Sequence, residues 1–127
     1  MTLLGFLAVG SGAAVGAWLR WWLGTLLNPV FPTLPFGTLA ANLIGGYLMG
    51  VALAALSHVE TLPPEARLLI TTGFLGGLTT FSTFSGEATT LLAREQLGWA
   101  AALVCAHVAG SILMTFAGIA SLRILLR

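Results

Sequence analysis

The sequence contains no lysine: its five basic residues are all arginines, against four acidic residues, so the net charge is only +1. This small charge argues against nucleic acid or an acidic protein as a partner. The single cysteine, Cys105, excludes an internal disulfide. Two histidines and four acids, placed mostly in connectors, cannot assemble a nucleophile, a base and an orienting carboxylate, so an enzyme is not expected.

Apolar residues take the place of the missing charges. Hydrophobic residues make up 57% of the 127 residues, charged residues only 7%, and the mean hydropathy is +0.99. A soluble domain of this size cannot bury that much apolar surface, so we expect lipid to be the solvent. A helix crosses the hydrocarbon core with about 20 apolar residues. The sequence therefore predicts one all-α transmembrane domain over residues 1–127, with spans at about 3–27, 36–56, 66–92 and 98–126.

The placement of the arginines predicts how the spans are oriented. With four spans, both termini and the connector around Arg67 share one side, which also holds Arg123 and Arg127, while Arg94 and Arg20 belong to the other side. Such a thin margin barely biases insertion. We therefore expect a multi-pass protein of the inner (plasma) membrane with dual topology, in which two copies sit antiparallel in a homodimer. The first apolar run has no basic stretch before it and is expected to be retained.

The third span contains the unusual stretch GFLGGLTTFSTFSGE, residues 73–87. Paired glycines at Gly76 and Gly77, followed by Thr79 and Thr80, disfavour a continuous helix and predict a break near Leu78. In lipid, the carbonyls that a break frees must find partners. Carbonyl oxygens are ligands for hard cations such as Na⁺, and two chains meeting at the break would supply enough of them.

Beyond the break, Phe81 and Phe84 share a helix face, and Thr83 belongs to the neighbouring hydroxyls. Phenylalanines at this spacing usually serve packing. Their ring edges are also positive, so an anion could travel along them with hydroxyl donors nearby. Glu87 is a candidate for coupling to protons or positioning water, unless it lies in the solvated interface.

The other spans carry few polar residues, each with two interpretations. Arg20, on one face with Gly12 and Gly16, is either an interfacial anchor or an electropositive entrance for anions. Asn42 either ties helices together or directs its amide donors into a polar pathway. In the fourth span, a stripe spaced by four residues indicates a polar track, unless its hydroxyls bond their own backbone. The stripe consists of His107, Ser111 and Thr115.

Three segments of the sequence resemble the Fluc (CrcB) fluoride channel family. They are residues 73–85 (GFLGGLTTFSTFS), residues 42–47 (NLIGGY) and residues 16–20 (GAWLR). The resemblance covers essentially the whole chain and four spans of matching order. It implies an antiparallel, dual-topology homodimer that passively exports fluoride through two pores around a central, structural Na⁺.

The resemblance also implies roles for individual residues. Gly76 and Thr79 would give backbone carbonyls to Na⁺, and Asn42 would donate its amide to fluoride. Phe81 and Phe84 would touch fluoride with their ring edges. Further residues would line the route: Ser111 and Thr115 in the polar track, and Arg20 at the vestibule. His107 departs from the small hydroxyl expected in the track and suggests a mild pH dependence.

Two other functions were weighed against the channel. Small proton-coupled multidrug exporters are also four-span dual-topology dimers, but they need a carboxylate in the first span, and this first span has none. A membrane assembly subunit would use the glycine faces for packing only, which leaves the Thr/Ser/Phe run unexplained.

Overall fold

The protein is described from a computed structural model, which describes residues 1–59 and 61–127. In this part of the chain all regular structure is helical, which confirms the predicted all-α class. The elements are α1 (Leu3–Leu27), a 3₁₀ turn (Asn28–Val30), α2 (Phe36–His58), α3 (Pro64–Leu68), a π-helix (Leu69–Leu75), α4 (Gly76–Leu78), α5 (Phe81–Ala93) and α6 (Leu97–Leu125).

These elements form four spans that are long and apolar enough to cross a membrane. They are Leu3–Val30, Phe36–His58, Pro64–Ala93 and Leu97–Leu125. Large apolar side chains cover their outer faces; Leu113 and Phe116 of α6, for example, are 67% and 66% exposed. In water such a surface would be unfavourable, whereas lipid tails solvate it.

The third span is broken where the sequence predicts it. Helical backbone runs without interruption from 64 to 78, and Thr79 and Thr80 are then extended, with φ/ψ of −84°/154° and −148°/120°. Thr80 is the N-cap of α5, since its hydroxyl accepts from the backbone N–H of Thr83 at 3.1 Å. The π-helix in the first half of this span was not predicted. Its wider turn is a feature that recurs at functional sites.

Glycines of α1 allow the first half of the third span to pack directly against it. A Cβ atom at Gly12 would overlap the Leu69 carbonyl, and one at Gly16 would overlap the Phe74 carbonyl. The predicted smooth face of α1 is therefore a close backbone contact. Because α1 carries Arg20 one further turn along the same face, this packing places the guanidinium beside the break.

The second close helix pair is α2 with α6. A Cβ atom at Gly50 would overlap the Thr115 carbonyl, and one at Gly118 would overlap the Tyr47 carbonyl. The second half of the third span packs on α6 through a small buried cluster: Phe84, Ala88, Leu91, Ala100 and Leu103. The break thus lies between α1 on one side and the closely packed α2/α6 pair on the other.

A groove at the break in the third span

Asn42 of α2 replaces the hydrogen bonds that the extended backbone of Thr80 loses. The Thr80 N–H donates to Asn42 Oδ1 at 2.8 Å, and Asn42 Nδ2 donates to the Thr80 carbonyl at 3.0 Å. The side-chain amide therefore pairs with one peptide unit as a neighbouring strand would. This pair of hydrogen bonds satisfies both backbone groups in a region where water is excluded.

Arg20 satisfies another carbonyl at the break. Its Nε donates to the Gly77 carbonyl at 3.0 Å, from a half-buried position on α1. A guanidinium at this place also complements the negative end of the first half-helix. Both interpretations of Arg20 concern an interface or an entrance, and neither anticipated this backbone contact.

The carbonyls of Gly76 and Thr79 lose their ordinary helical partners. The N–H of Thr80 would reach Gly76 in a continuous helix, but it donates to Asn42 Oδ1 instead. The N–H of Thr83 would reach Thr79, but it donates to the Thr80 hydroxyl. Two backbone oxygens are thereby left without these partners, and neutral oxygens suit a hard cation such as Na⁺.

A groove of about 470 Å³ runs along the break between α2, the third span and α6. It collects most of the residues that the sequence analysis singled out. These are Asn42, Gly76, Thr79, Phe81, Phe84, His107, Ser111 and Thr115, and they share the groove with Thr80, Gly45, Gly46 and several apolar side chains. Residues from three separate spans thus meet in one open groove, whose largely apolar lining carries a few polar groups.

The two phenylalanines form a row of three contacting rings with His107, and Phe84 is in the middle. Phe81 and Phe84 meet edge to face with centroids 5.4 Å apart, and the ring of Phe84 lies 4.7 Å from that of His107. Phe84 is 7% exposed and also belongs to the core cluster, whereas Phe81 is 78% exposed. Packing therefore accounts for Phe84 in part, but within this chain it does not account for Phe81.

The hydroxyls of the stripe on α6 differ in whether they form hydrogen bonds. The Thr115 hydroxyl donates towards two backbone carbonyls, those of Gly46 at 3.0 Å and Ser111 at 2.9 Å. This residue thus follows the alternative in which a hydroxyl bonds backbone. The Ser111 hydroxyl, in contrast, forms no hydrogen bond within the described part of the chain and lines the groove. His107 is 4% exposed, and its Nδ1 lies 3.0 Å from Asn42 Nδ2.

Two smaller cavities, of which one adjoins the groove, hold the remaining candidate residues. Arg20 and Thr83 line the first of them, which we call the second cavity; its volume is about 380 Å³, and it shares Thr80 with the groove. Glu87 lines another of about 370 Å³, together with Arg94. Thr38, which lines the second cavity, donates its hydroxyl to Glu87 Oε1 at 2.6 Å. Polar side chains therefore continue from the groove towards the connectors.

Three residues that hold this arrangement together have roles that the sequence did not predict. Thr80 caps α5 and lines both the groove and the second cavity. Thr38 binds Glu87, and Gly77 offers its carbonyl to Arg20. The N-cap role of Thr80 has a local signal, because a threonine after a predicted break is a preferred cap. The partners of Thr38 and Gly77 are 49 and 57 positions away, and no local pattern indicates them.

Fold and groove together define a class: a small, four-span helical membrane protein with a polar pathway at a broken helix. The chain belongs to the CrcB family, since residues 7–119 match the family described as CrcB-like protein, Camphor Resistance (CrcB). This membership confirms the resemblance found in the sequence.

Relatives that carry the name "Fluoride-specific ion channel FluC" cover nearly the whole chain. The protein of Nitrosospira multiformis is 58% identical over 97% of this chain and 96% of the relative. That of Aromatoleum aromaticum is 62% identical over 91% and 88%, and that of Pseudomonas putida is 56% identical over 94% of both. The names of these relatives describe ion channels rather than enzymes.

Proposed function

We propose that this protein is a fluoride-specific ion channel that lets fluoride leave the cytoplasm passively across the inner membrane. The observation that carries the proposal is the groove at the break, where Asn42, Phe81, Phe84, His107 and Ser111 meet. The relatives bear the matching name at more than half identity over almost their full length. A channel needs a continuous route through apolar protein, and the groove is proposed as part of that route.

In the proposed pathway fluoride meets weak contacts in series. Positive ring edges of Phe81 and Phe84, together with hydroxyls such as those of Ser111 and Thr83, replace part of its hydration shell. Arg20 gathers anions in the adjoining vestibule, and its contact with Gly77 keeps its charge in place. None of these groups is a cation within the groove itself, so an ion can enter without being trapped.

Glu87 lies beside the Arg20 vestibule, because Thr38 lines that vestibule and binds Glu87. Its Oε1 accepts from Thr38, and its Oε2 is buried with no hydrogen-bond partner in the part of the chain that the structure describes. We assign it to positioning water or coupling to protons at the mouth of the pathway. The neighbouring Arg94 lines the same cavity and can share such a water.

The proposed functional unit is an antiparallel, dual-topology homodimer with two pores. The Ser111 hydroxyl and the backbone oxygens freed at the break cannot face lipid favourably, so the groove needs a protein cover. A second copy would provide that cover and would also double the backbone oxygens of Gly76 and Thr79. A Na⁺ ion held by these oxygens would supply the positive charge that joins the two broken helices.

Fluoride efflux from liposomes that contain the purified protein tests the channel directly. We expect fluoride to leave on addition of an ionophore that dissipates the potential, while matched liposomes loaded with chloride retain their anion. Equal loss of both anions, or no fluoride loss beyond that of empty liposomes, would refute a fluoride-specific channel.

Gly76→Ala tests the dimer and its ion. In the single chain a Cβ at Gly76 would meet only the Thr71 carbonyl, at 3.9 Å, so alanine fits. If a second copy and Na⁺ occupy this surface, the variant should fold but show weaker dimerisation and efflux than Gly86→Ala, whose Cβ would meet nothing within 4 Å. Replacement of Na⁺ by a bulky organic cation should weaken the wild-type dimer similarly.

Cysteine labelling tests the dual topology. A cysteine near the C-terminus should label from both sides of the membrane; one-sided labelling would exclude dual topology.

A further inference from the structure

The backbone of Thr80 fixes the orientation of the Asn42 side chain. A backbone N–H can only donate and a carbonyl can only accept, so the two contacts at 2.8 and 3.0 Å identify Oδ1 and Nδ2 without ambiguity. One of the two N–H bonds of Nδ2 is used by the Thr80 carbonyl. The other is the contact with His107, at 3.0 Å.

This orientation determines the protonation of His107. An amide NH₂ group has only donors, so the facing Nδ1 of His107 must be the acceptor. A neutral imidazole that accepts at Nδ1 carries its proton on Nε2. The Asn42 amide therefore selects one of the two tautomers of the ring.

The resulting Nε2–H has no partner within the protein. His107 is 4% exposed, and Nε2 is a buried atom without a hydrogen bond in the described residues. An unpaired buried donor is unfavourable by about 1–3 kcal/mol. The imidazole is fixed on its other side by the Phe84 ring, 4.7 Å away, and it forms part of the groove wall. A donor left free and held in place is suited to an acceptor that enters from outside, and an anion is such an acceptor.

We infer that Asn42 is a positioning residue, and that the donor it prepares for an anion is the Nε2–H of His107. Both N–H bonds of Asn42 are already used by Thr80 and His107, so the amide has none left for an ion. It acts on the pathway through the ring that it orients and through the break that it closes. The identity of the anion as fluoride rests on the proposed function, whereas the tautomer does not.

Nitrogen NMR of the imidazole tests the inferred tautomer of His107 directly, because protonated and unprotonated ring nitrogens have well-separated ¹⁵N shifts. The chain has only two histidines, and His58 is exposed near the end of α2, so His58→Gln leaves His107 as a single signal. In lipid nanodiscs at neutral pH we expect a protonated Nε2 and an unprotonated Nδ1. A protonated Nδ1 in this background would overturn the inference.

A pair of Asn→Asp substitutions separates positioning from general effects. At position 42 the second carboxylate oxygen can only accept, so the His107 proton should move to Nδ1 or both nitrogens should carry one. At Asn28 only Oδ1 is used, accepting from the N–H groups of Gly37 and Thr38, and Asn28→Asp should leave the ring unchanged. If Asn42→Asp does not assemble, Asn42→Ala should give a mixture of tautomers. An unchanged tautomer in the Asn42 variant would refute the positioning role.

Fluoride addition to the His58→Gln protein tests the ligand half of the inference. The Nε2 resonance should shift with fluoride and stay unchanged with equal chloride. No shift in a preparation that conducts fluoride would remove His107 as the donor. Absence of fluoride efflux, with the tautomer as inferred, would instead count against the channel and leave Asn42 its positioning role.

Discussion

The guanidinium of Arg20 and the carbonyl of Gly77 are joined by a hydrogen bond of 3.0 Å that spans 57 positions of sequence. This bond connects α1 to the last turn before the break. It holds one of the carbonyls that the break frees, and it keeps a positive charge beside the second cavity. Arg20 therefore combines a structural and an electrostatic role.

Arg20→Gln should lower fluoride efflux about tenfold or more. A positive charge in a cleft raises the local concentration of anions and their rate of entry by about 10–10³-fold, and the substitution removes this charge. Arg20→Lys keeps the charge but not the planar Nε–H, so its efflux should lie between those of Arg20→Gln and the wild type. Arg123→Gln, at an exposed position near the end of α6, removes the same charge and serves as the control. Wild-type efflux in Arg20→Gln would contradict the proposed vestibule.

Phe81→Ile should reduce fluoride efflux strongly without loss of folding. The ring is 78% exposed and contributes little to the core of the single chain, so the substitution removes a pathway contact rather than packing. Phe116→Ile changes a similarly exposed ring, at 66%, outside the groove and should conduct normally. Liposome efflux and size-exclusion chromatography measure the two effects. Normal efflux in Phe81→Ile would return this ring to a packing role in the dimer.

Gly16→Ala should destabilise the protein by about 1–3 kcal/mol through overpacking. Its Cβ would overlap the Phe74 carbonyl and approach the Leu78 N–H to 2.6 Å, and backbone cannot move aside as a side chain can. Gly10→Ala on the same helix would meet nothing within 4 Å and should be neutral or stabilising by about 0.5–1 kcal/mol. Thermal unfolding in detergent compares the two. Equal stability of both variants would show that α1 does not pack closely on the third span.

Thr38→Val should destabilise the protein by about 1–3 kcal/mol because it removes the donor to a carboxyl oxygen that is then left unpaired. The bond is short, at 2.6 Å, and Thr38 is 4% exposed. Thr38→Ser keeps the hydroxyl and should retain most of the stability. The effect of Thr38→Val should also shrink when Glu87 is replaced by leucine, since no carboxyl then needs a donor. A loss that persists undiminished would assign it to packing at Thr38 instead.

The sequence was sufficient for the features that depend on local chemistry. The span bounds lie within two residues of the observed helices, and the glycines and threonines around Leu78 predicted the break. The face of Gly12 and Gly16 is the contact surface of α1. These features follow from hydropathy, conformational preference and helical period, which neighbouring residues determine.

Features that depend on distant parts of the chain were not predictable in this way. The sequence left two interpretations of Asn42, a tie between helices or an amide open to an ion, and it could not name Thr80 and His107 as the partners of the two N–H groups. For Thr115, the alternative in which a stripe hydroxyl bonds its own backbone covers the contact with Ser111, but no local pattern indicates the contact with Gly46 of α2. A pattern along one helix shows which side chains share a face. Which partner on another span takes each donor is decided only when the helices pack.

The contact between Asn42 of α2 and His107 of α6 joins a helix that is made early to one that is made last. A membrane protein is inserted from its N-terminal end, so α2 enters the bilayer while α6 is still being synthesised. Until the last helix arrives, one amide donor of Asn42 and the open glycine surface of α2 lack their native cover. The fourth span therefore completes the interior of the second. A nascent chain that ends before residue 97 would leave these groups of α2 without their native partners.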